Sequence, residues 1–182
     1  MRKQVLFVQG AGDGAHAEDA KLAASLGAGL GPDYEVRYPL MPDEGSPDGA
    51  AWKRRLAAEL GALADGAILV GHSAGAAVLV ALLAERALER RIAGLFLVAA
   101  AFFGPGGWEV EGFALPGELG ARLPRGVPVF LYHGRDDEIV PFAHAGLYAK
   151  ALPHAVMRPL DGRNHQLNDD LSEVAADIRR LG

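Results

Sequence analysis

The sequence predicts an α/β protein: a single-domain, three-layer α/β/α architecture around a mostly parallel sheet of about six strands. Three observations carry that expectation. Short apolar runs alternate with helix-spaced segments along the whole chain. Several runs, such as Ile68-Leu69-Val70 and Ile92 to Ala99, are apolar at successive positions rather than at every second one, as strands covered on both faces are. Helix-length segments between consecutive runs supply the crossovers that parallel pairing requires.

The elements follow in order. Val5 to Val8 is the first strand and stops at Gly10. Ala17 to Leu30 places Leu22, Leu26 and Leu30 on one helical face. Tyr34 to Tyr38 is the second strand, and the Pro, Asp, Gly and Ser content of Pro39 to Pro47 marks a loop. Trp52, Leu56, Leu60 and Leu63 mark the next helix, Ile68 to Val70 a buried strand and Ala74 to Arg90 a helix. Ile92 to Ala99 and Val127 to Tyr132 are further strands; a helix around Phe142 to Leu152, a short strand Ala155 to Leu160 and a helix Leu171 to Leu181 complete the chain. Phe102 to Arg125 breaks the alternation. Its Gly104-Pro105-Gly106-Gly107 stretch and aromatic residues mark an insert or lid within one domain spanning residues 1–182.

Composition excludes several function classes. The 182 residues are 50% hydrophobic and 23% charged, which excludes intrinsic disorder. A net charge of −5, with no basic run longer than Lys53-Arg54-Arg55, argues against a nucleic-acid or membrane partner. The absence of cysteine excludes disulfides, thiol nucleophiles and Cys-ligated metals. It also fits a cytoplasmic protein. Val5 to Val8 is too short for a signal-peptide core, and the longest apolar candidate, Ala93 to Phe103, falls short of the roughly 18 residues of a membrane span. No two histidines and a carboxylate share ligand spacing, so neither a metal nor another cofactor is implied.

The chemistry points to Gly71-His72-Ser73-Ala74-Gly75, between the strand Ile68 to Val70 and a helix. A strained strand-to-helix turn exposes its serine, and flanking glycines let strand and helix approach. With 4 serines and 24 glycines in 182 residues, chance yields about 0.07 Gly-x-Ser-x-Gly matches. Downstream, an acidic stretch, Asp136-Asp137-Glu138, follows one strand, and Asn164-His165 follows the last one. Serine, acid and histidine thus occur in the order found in α/β-hydrolases.

The chain resembles a small α/β-hydrolase-fold serine hydrolase. Gly71 to Gly75 resembles the nucleophile elbow, Gly134 to Pro141 the Gly-x-x-Asp-x-x-Val-Pro acid loop, and Asn164-His165 the catalytic-histidine loop. Its small size and the segment Pro39 to Trp52 are similar to the compact RBBP9/YdeN-like group. The resemblance implies Ser73, Asp137 and His165 as catalytic residues, with Asp136 as the alternative acid. Two departures stand out. Many relatives carry His-Gly after the first strand, where this chain has Gln9-Gly10-Ala11-Gly12. The leading strands of larger relatives are also missing. The Ala74 N–H and the Ala11 N–H, with Gly12 as alternative, are the expected oxyanion donors.

Other residues carry plainer readings. His72 is expected to point away from the nucleophile, His133 to pack at its strand end, and His144 and His154 to lie on the surface. His16 either borders the oxyanion loop and contacts substrate or is simply solvated. Asp43-Glu44 is read as solvated, Asp136 as support for the acid loop, and Trp52 as core. Phe102, Phe103, Trp108 and Phe113 either line a substrate pocket or pin the insert down. The expected activity is a carboxylesterase-like serine hydrolase with an acyl-enzyme intermediate, acting on a small-molecule acyl substrate. A silent binding protein on the same scaffold and an acyltransferase or thioesterase remain alternatives.

Overall fold

The structure is a computed structural model that describes residues 2–87 and 89–181. The strands are β1 (Lys3–Val8), β2 (Tyr34–Arg37), β3 (Ala67–His72), β4 (Ile92–Val98), β5 (Val129–Gly134) and β6 (Val156–Leu160). The helices are α1 (Ala15–Leu30), α2 (Gly49–Gly61), α3 (Ser73–Glu85), α4 (Leu119–Arg122), α5 (Ala143–Ala151) and α6 (Ser172–Arg179). The six strands form one sheet in the order β2-β1-β3-β4-β5-β6, and every pairing is parallel. Strand alternation sends Val5 and Phe7 to one face, with Leu22, Leu26, Val174 and Ile178 from α1 and α6. Leu6 and Val8 face the other layer, with Trp52, Leu56, Leu79, Leu83 and Tyr148 from α2, α3 and α5.

Most elements start or stop within two residues of the sequence expectation, and two differences have a clear physical reason. The helix expected to reach Arg90 stops at Glu85. Its buried residues end at Ala84, Glu85 to Ala87 are exposed, and the backbone of Arg86 is extended. The strand expected over Val127 to Tyr132 runs instead from Val129 to Gly134, because Val127 and Pro128 lie before the ladder with Leu95 begins. α3 is the central helix: every residue from Ser73 to Ala84 is buried, which its small and apolar side chains permit. Among the described residues no helix is long and apolar enough to cross a membrane.

Register places the site. Val8 pairs with Gly71, His72 with Val98, Val98 with Tyr132 and Gly134 with Leu160. The loops after β1, β3, β4, β5 and β6 therefore leave from the same edge of the sheet. Strand order reverses between β1 and β3, so the loops after these two strands open a crevice at the carboxyl ends, the usual ligand location in open α/β sheets.

Candidate active site

β3 passes into α3 with no intervening loop, and Ser73 takes up the change of direction with a φ of 52°. That left-handed conformation costs a non-glycine residue about 1–3 kcal/mol. The two glycines are needed for contact. A Cβ at Gly71 would lie 2.6 Å from the Ala76 Cα, and one at Gly75 would collide with the Gln9 carbonyl oxygen. Ala74 follows on the first turn of α3, where backbone N–H groups lack helical partners and the dipole is positive.

The acid loop presents Asp137, whose side chain is sealed from solvent. Its carboxylate lies 2.9 and 3.0 Å from His165 Nδ1. It also accepts from the Ile139 and Val140 N–H groups and lies 3.1 Å from His133 Nε2. Burial alone would raise the Asp137 pKa, but hydrogen bonds from His133 and His165, the His165 charge and the Ile139 N–H hold it well below the usual carboxylate range. His133 Nε2 also faces the Val140 carbonyl at 2.8 Å, so that nitrogen carries a proton. Gly134 lets the two loops meet, since a Cβ there would collide with the Arg163 carbonyl. Asp136 is exposed and uses its backbone N–H on that same carbonyl.

Ser73 Oγ and His165 Nε2 have no hydrogen-bond partner among the described residues. Neither is sealed from solvent, unlike His16 Nε2 and Gln166 Oε1, which are buried without partners. A hydroxyl and an imidazole that act together are often loosely placed when no ligand is bound.

Glu44 shapes the loop after β1, which corrects the expectation that Asp43-Glu44 is merely solvated. The Glu44 carboxylate accepts from Gln9 Nε2 at 2.6 Å, the Gly14 N–H at 3.1 Å and the His16 N–H at 2.7 Å. The helix α1 starts there with unsatisfied N–H groups, and a carboxylate is the natural partner. Burial opposes ionisation, but these donors and the His16 charge lower the Glu44 pKa. The Gly12 N–H donates to the Glu44 carbonyl at 2.7 Å and the Gly10 N–H to Asp19 Oδ2. The Ala11 and Asp13 N–H groups keep no partner among the described residues.

The remaining candidates sort by their contacts. The His16 ring stacks on Tyr38 with centroids 4.3 Å apart, so it is packed rather than freely solvated. Phe103 and Phe113 join the core, with rings 5.3 Å apart and Phe113 against Trp52. Phe102 and Trp108 stay half-buried, edge-on to Tyr148 and His144 respectively. Phe102 lies near the Ser73 turn because the N–H of its neighbour Ala101 donates to the Ser73 carbonyl. The insert also lines a cavity of about 400 Å³ between Phe103, Trp108, Val110 and Ala114, and Ser73, Asp137 and His165 are not among its walls. His144, expected at the surface, is buried: its Nδ1 accepts from the Phe102 N–H at 2.9 Å, and burial lowers its pKa. His154 is exposed. His72 is fully buried and paired with Asp19, a residue that no sequence motif singles out. The only signal for it is weak: an acid at the fifth position of α1 looks like any solvated helix residue.

This fold, with a serine turn between β3 and α3, is that of an α/β-hydrolase. The chain belongs to the serine hydrolase family: residues 37–169, a span containing Ser73, Asp137 and His165, match that family. Among solved structures it is similar to the ydeN gene product of B. subtilis, at 20% identity and a TM-score of 0.74 over 98% of each chain. It is similar to SOBER1 of Arabidopsis thaliana, at 15% identity and a TM-score of 0.72 over 100% of this chain and 99% of that one. The esterase RhEst1 from Rhodococcus sp. ECU1013 matches at 19% identity and a TM-score of 0.70, over 99% of this chain and 90% of that one. At such identities these likenesses establish the compact α/β-hydrolase fold. A search of the curated proteins returns no match.

Proposed function

We propose that the protein hydrolyses an ester or related acyl bond of a small molecule, in the manner of a carboxylesterase, with Ser73 as nucleophile, His165 as general base and Asp137 as its orienting acid. The observation that carries this reading is the buried Asp137 carboxylate 2.9 Å from His165 Nδ1, on a loop that leaves the same sheet edge as the strained Ser73 turn. The ionised carboxylate fixes the tautomer with the proton on Nδ1, leaving Nε2 free to accept. His165 Nε2 then takes the Ser73 Oγ proton as Oγ bonds to the acyl carbon. The proton passes to the departing alcohol as the carbon–oxygen bond breaks, and water activated through His165 frees the acid. The Ala74 and Ala11 N–H groups hold the oxyanion, where one lost donor typically costs about 2.7–4 kcal/mol. The half-buried Phe102 and Trp108, with His16 across the crevice, contact the acyl and leaving groups.

Intact-mass spectrometry after fluorophosphonate treatment tests this reading. One adduct on the wild type and none on folded Ser73→Ala, together with turnover of p-nitrophenyl esters by the wild type alone, is the expected result. The missing hydrogen bond between Ser73 Oγ and His165 Nε2 favours a second reading, a silent binding protein on a hydrolase scaffold. A folded wild type that takes no adduct would establish that one instead.

A further inference from the structure

Two fully buried charged side chains take no part in the chemistry described above. Asp19 on α1 and His72 at the end of β3 are each 1% exposed. His72 Nδ1 lies 2.8 Å from Asp19 Oδ2, and His72 Nε2 lies 3.1 Å from the His165 carbonyl oxygen. Asp19 Oδ2 also accepts the Gly10 N–H at 2.7 Å, and Asp19 Oδ1 accepts Gln166 Nε2 at 3.0 Å. The His72 ring stands 4.7 Å from the His165 ring, tilted by 46°.

Donor and acceptor roles follow from these partners. A carbonyl oxygen only accepts, so His72 Nε2 carries a proton. The Asp19 carboxylate, already accepting from Gly10 and Gln166, accepts from Nδ1 as well. His72 is thus a doubly protonated imidazolium paired with an ionised carboxylate. A buried charge persists only when it is paired and hydrogen-bonded in this way. Burial opposes both charges, yet Asp19 and the His165 carbonyl raise the His72 pKa, while His72, Gly10 and Gln166 lower that of Asp19. The other ionisable groups facing the pair are Asp137 from the acid loop, His165, and Tyr38 from beyond β2.

We propose that the His72–Asp19 pair is a positioning element that ties the Gly10 loop and the His165 loop to the nucleophile turn. The pair reaches the Gly10 loop, the Ser73 turn and the His165 loop without touching a reacting atom. Gly10 precedes the Ala11 donor, and the backbone of His165 hangs from His72 Nε2. His72 itself precedes Ser73, and a Cβ at Gly10 would meet the Ser73 Cβ at 3.1 Å and His72 Nδ1 at 3.3 Å. The inference rests on Ser73 as nucleophile and assigns the neighbouring buried pair a role that the sequence does not suggest.

Asp19→Asn, His72→Gln and the double variant test it with an activated ester and with the rate of fluorophosphonate labelling. Misplacement of loops at this scale lowers kcat by about 10- to 100-fold. KM should stay within about threefold, as expected when transition-state geometry rather than binding is lost. The double variant should fall within about threefold of the worse single one, because both changes break one unit. Folded single variants with wild-type kcat and labelling rate would overturn the proposal. So would a loss confined to KM. A wild type that takes no adduct would instead refute the reading of Ser73, a distinguishable failure. If the variants do not fold, nitrogen-15 NMR of the wild-type histidines decides. One buried ring with both N–H protons retained from about pH 6 to about pH 8 is expected. A neutral ring in its place would overturn the imidazolium pair and the proposal with it.

Discussion

Replacing Asp137 by Asn removes one charge and almost no volume, yet it should disable the site. The Asn side-chain oxygen can still accept the Ile139 and Val140 N–H groups, both of which now donate to Oδ1 at 2.9 and 2.8 Å. Its amide nitrogen then occupies the Oδ2 position, 2.9 Å from His165 Nδ1 and 3.1 Å from His133 Nε2. His133 Nε2 is committed as a donor by the Val140 carbonyl, so two donors face each other there. His165 must offer Nδ1 as an acceptor, which moves its proton to Nε2 and leaves nothing to receive the Ser73 proton. Catalysis through the wrong tautomer falls by about 10⁴-fold, or about 5.4 kcal/mol at 1.36 kcal/mol per decade. Losing one charge-assisted set of bonds costs roughly 1–3 kcal/mol of stability, so the variant should remain folded. Steady-state hydrolysis of an activated ester, with thermal unfolding as the control, measures both effects. A folded Asp137→Asn protein within tenfold of wild-type kcat/KM, or an equal loss in Asp136→Asn, would refute the assignment.

Two further predictions concern stability. Ser73→Gly relieves the left-handed conformation at φ 52°, so it should raise stability by about 1 kcal/mol after the extra unfolded-chain entropy of glycine is counted; an unchanged or lower Tm would show that the turn is unstrained. Glu44→Gln tests the clamp on the β1–α1 loop. The folded pKa of Glu44 is depressed, so the stabilisation is present above the unfolded value and lost as pH falls through the folded one. The Tm difference between wild type and Glu44→Gln should therefore be largest near neutral pH and shrink on acidification, and a difference independent of pH would contradict the ionised clamp.

Features set by neighbouring residues or by apolar pattern are legible in the chain itself. The strand Ile68 to Val70, the pentapeptide Gly71 to Gly75 and the helix after it announce the serine turn locally, because a strand, a φ above zero and a helix start all fall within one short segment. Trp52 reads as core from its helical spacing, and it is fully buried. Residues whose neighbours come from distant segments are not legible in this way. Glu44 looks like a loop carboxylate until α1 presents its bare N-terminus to it. His144 looks exposed until the insert folds back and the Phe102 N–H meets its ring. His72 and Asp19 are separated by 53 positions, and no local pattern announces their pairing.

The sequence by itself determined the alternation of strands and helices, the serine turn, and the order in which serine, acids and histidine arrive. Backbone preference, periodicity and turn chemistry act over a few residues and leave their mark in the residues themselves. The tertiary structure decided which carboxylate faces His165, which backbone N–H groups remain free near Ser73, which aromatics of the insert are core, and that a second histidine–aspartate pair lies beneath the site. Those outcomes depend on register and loop closure across the sheet, where a buried polar group must find a partner from whatever distant segment the fold brings to it.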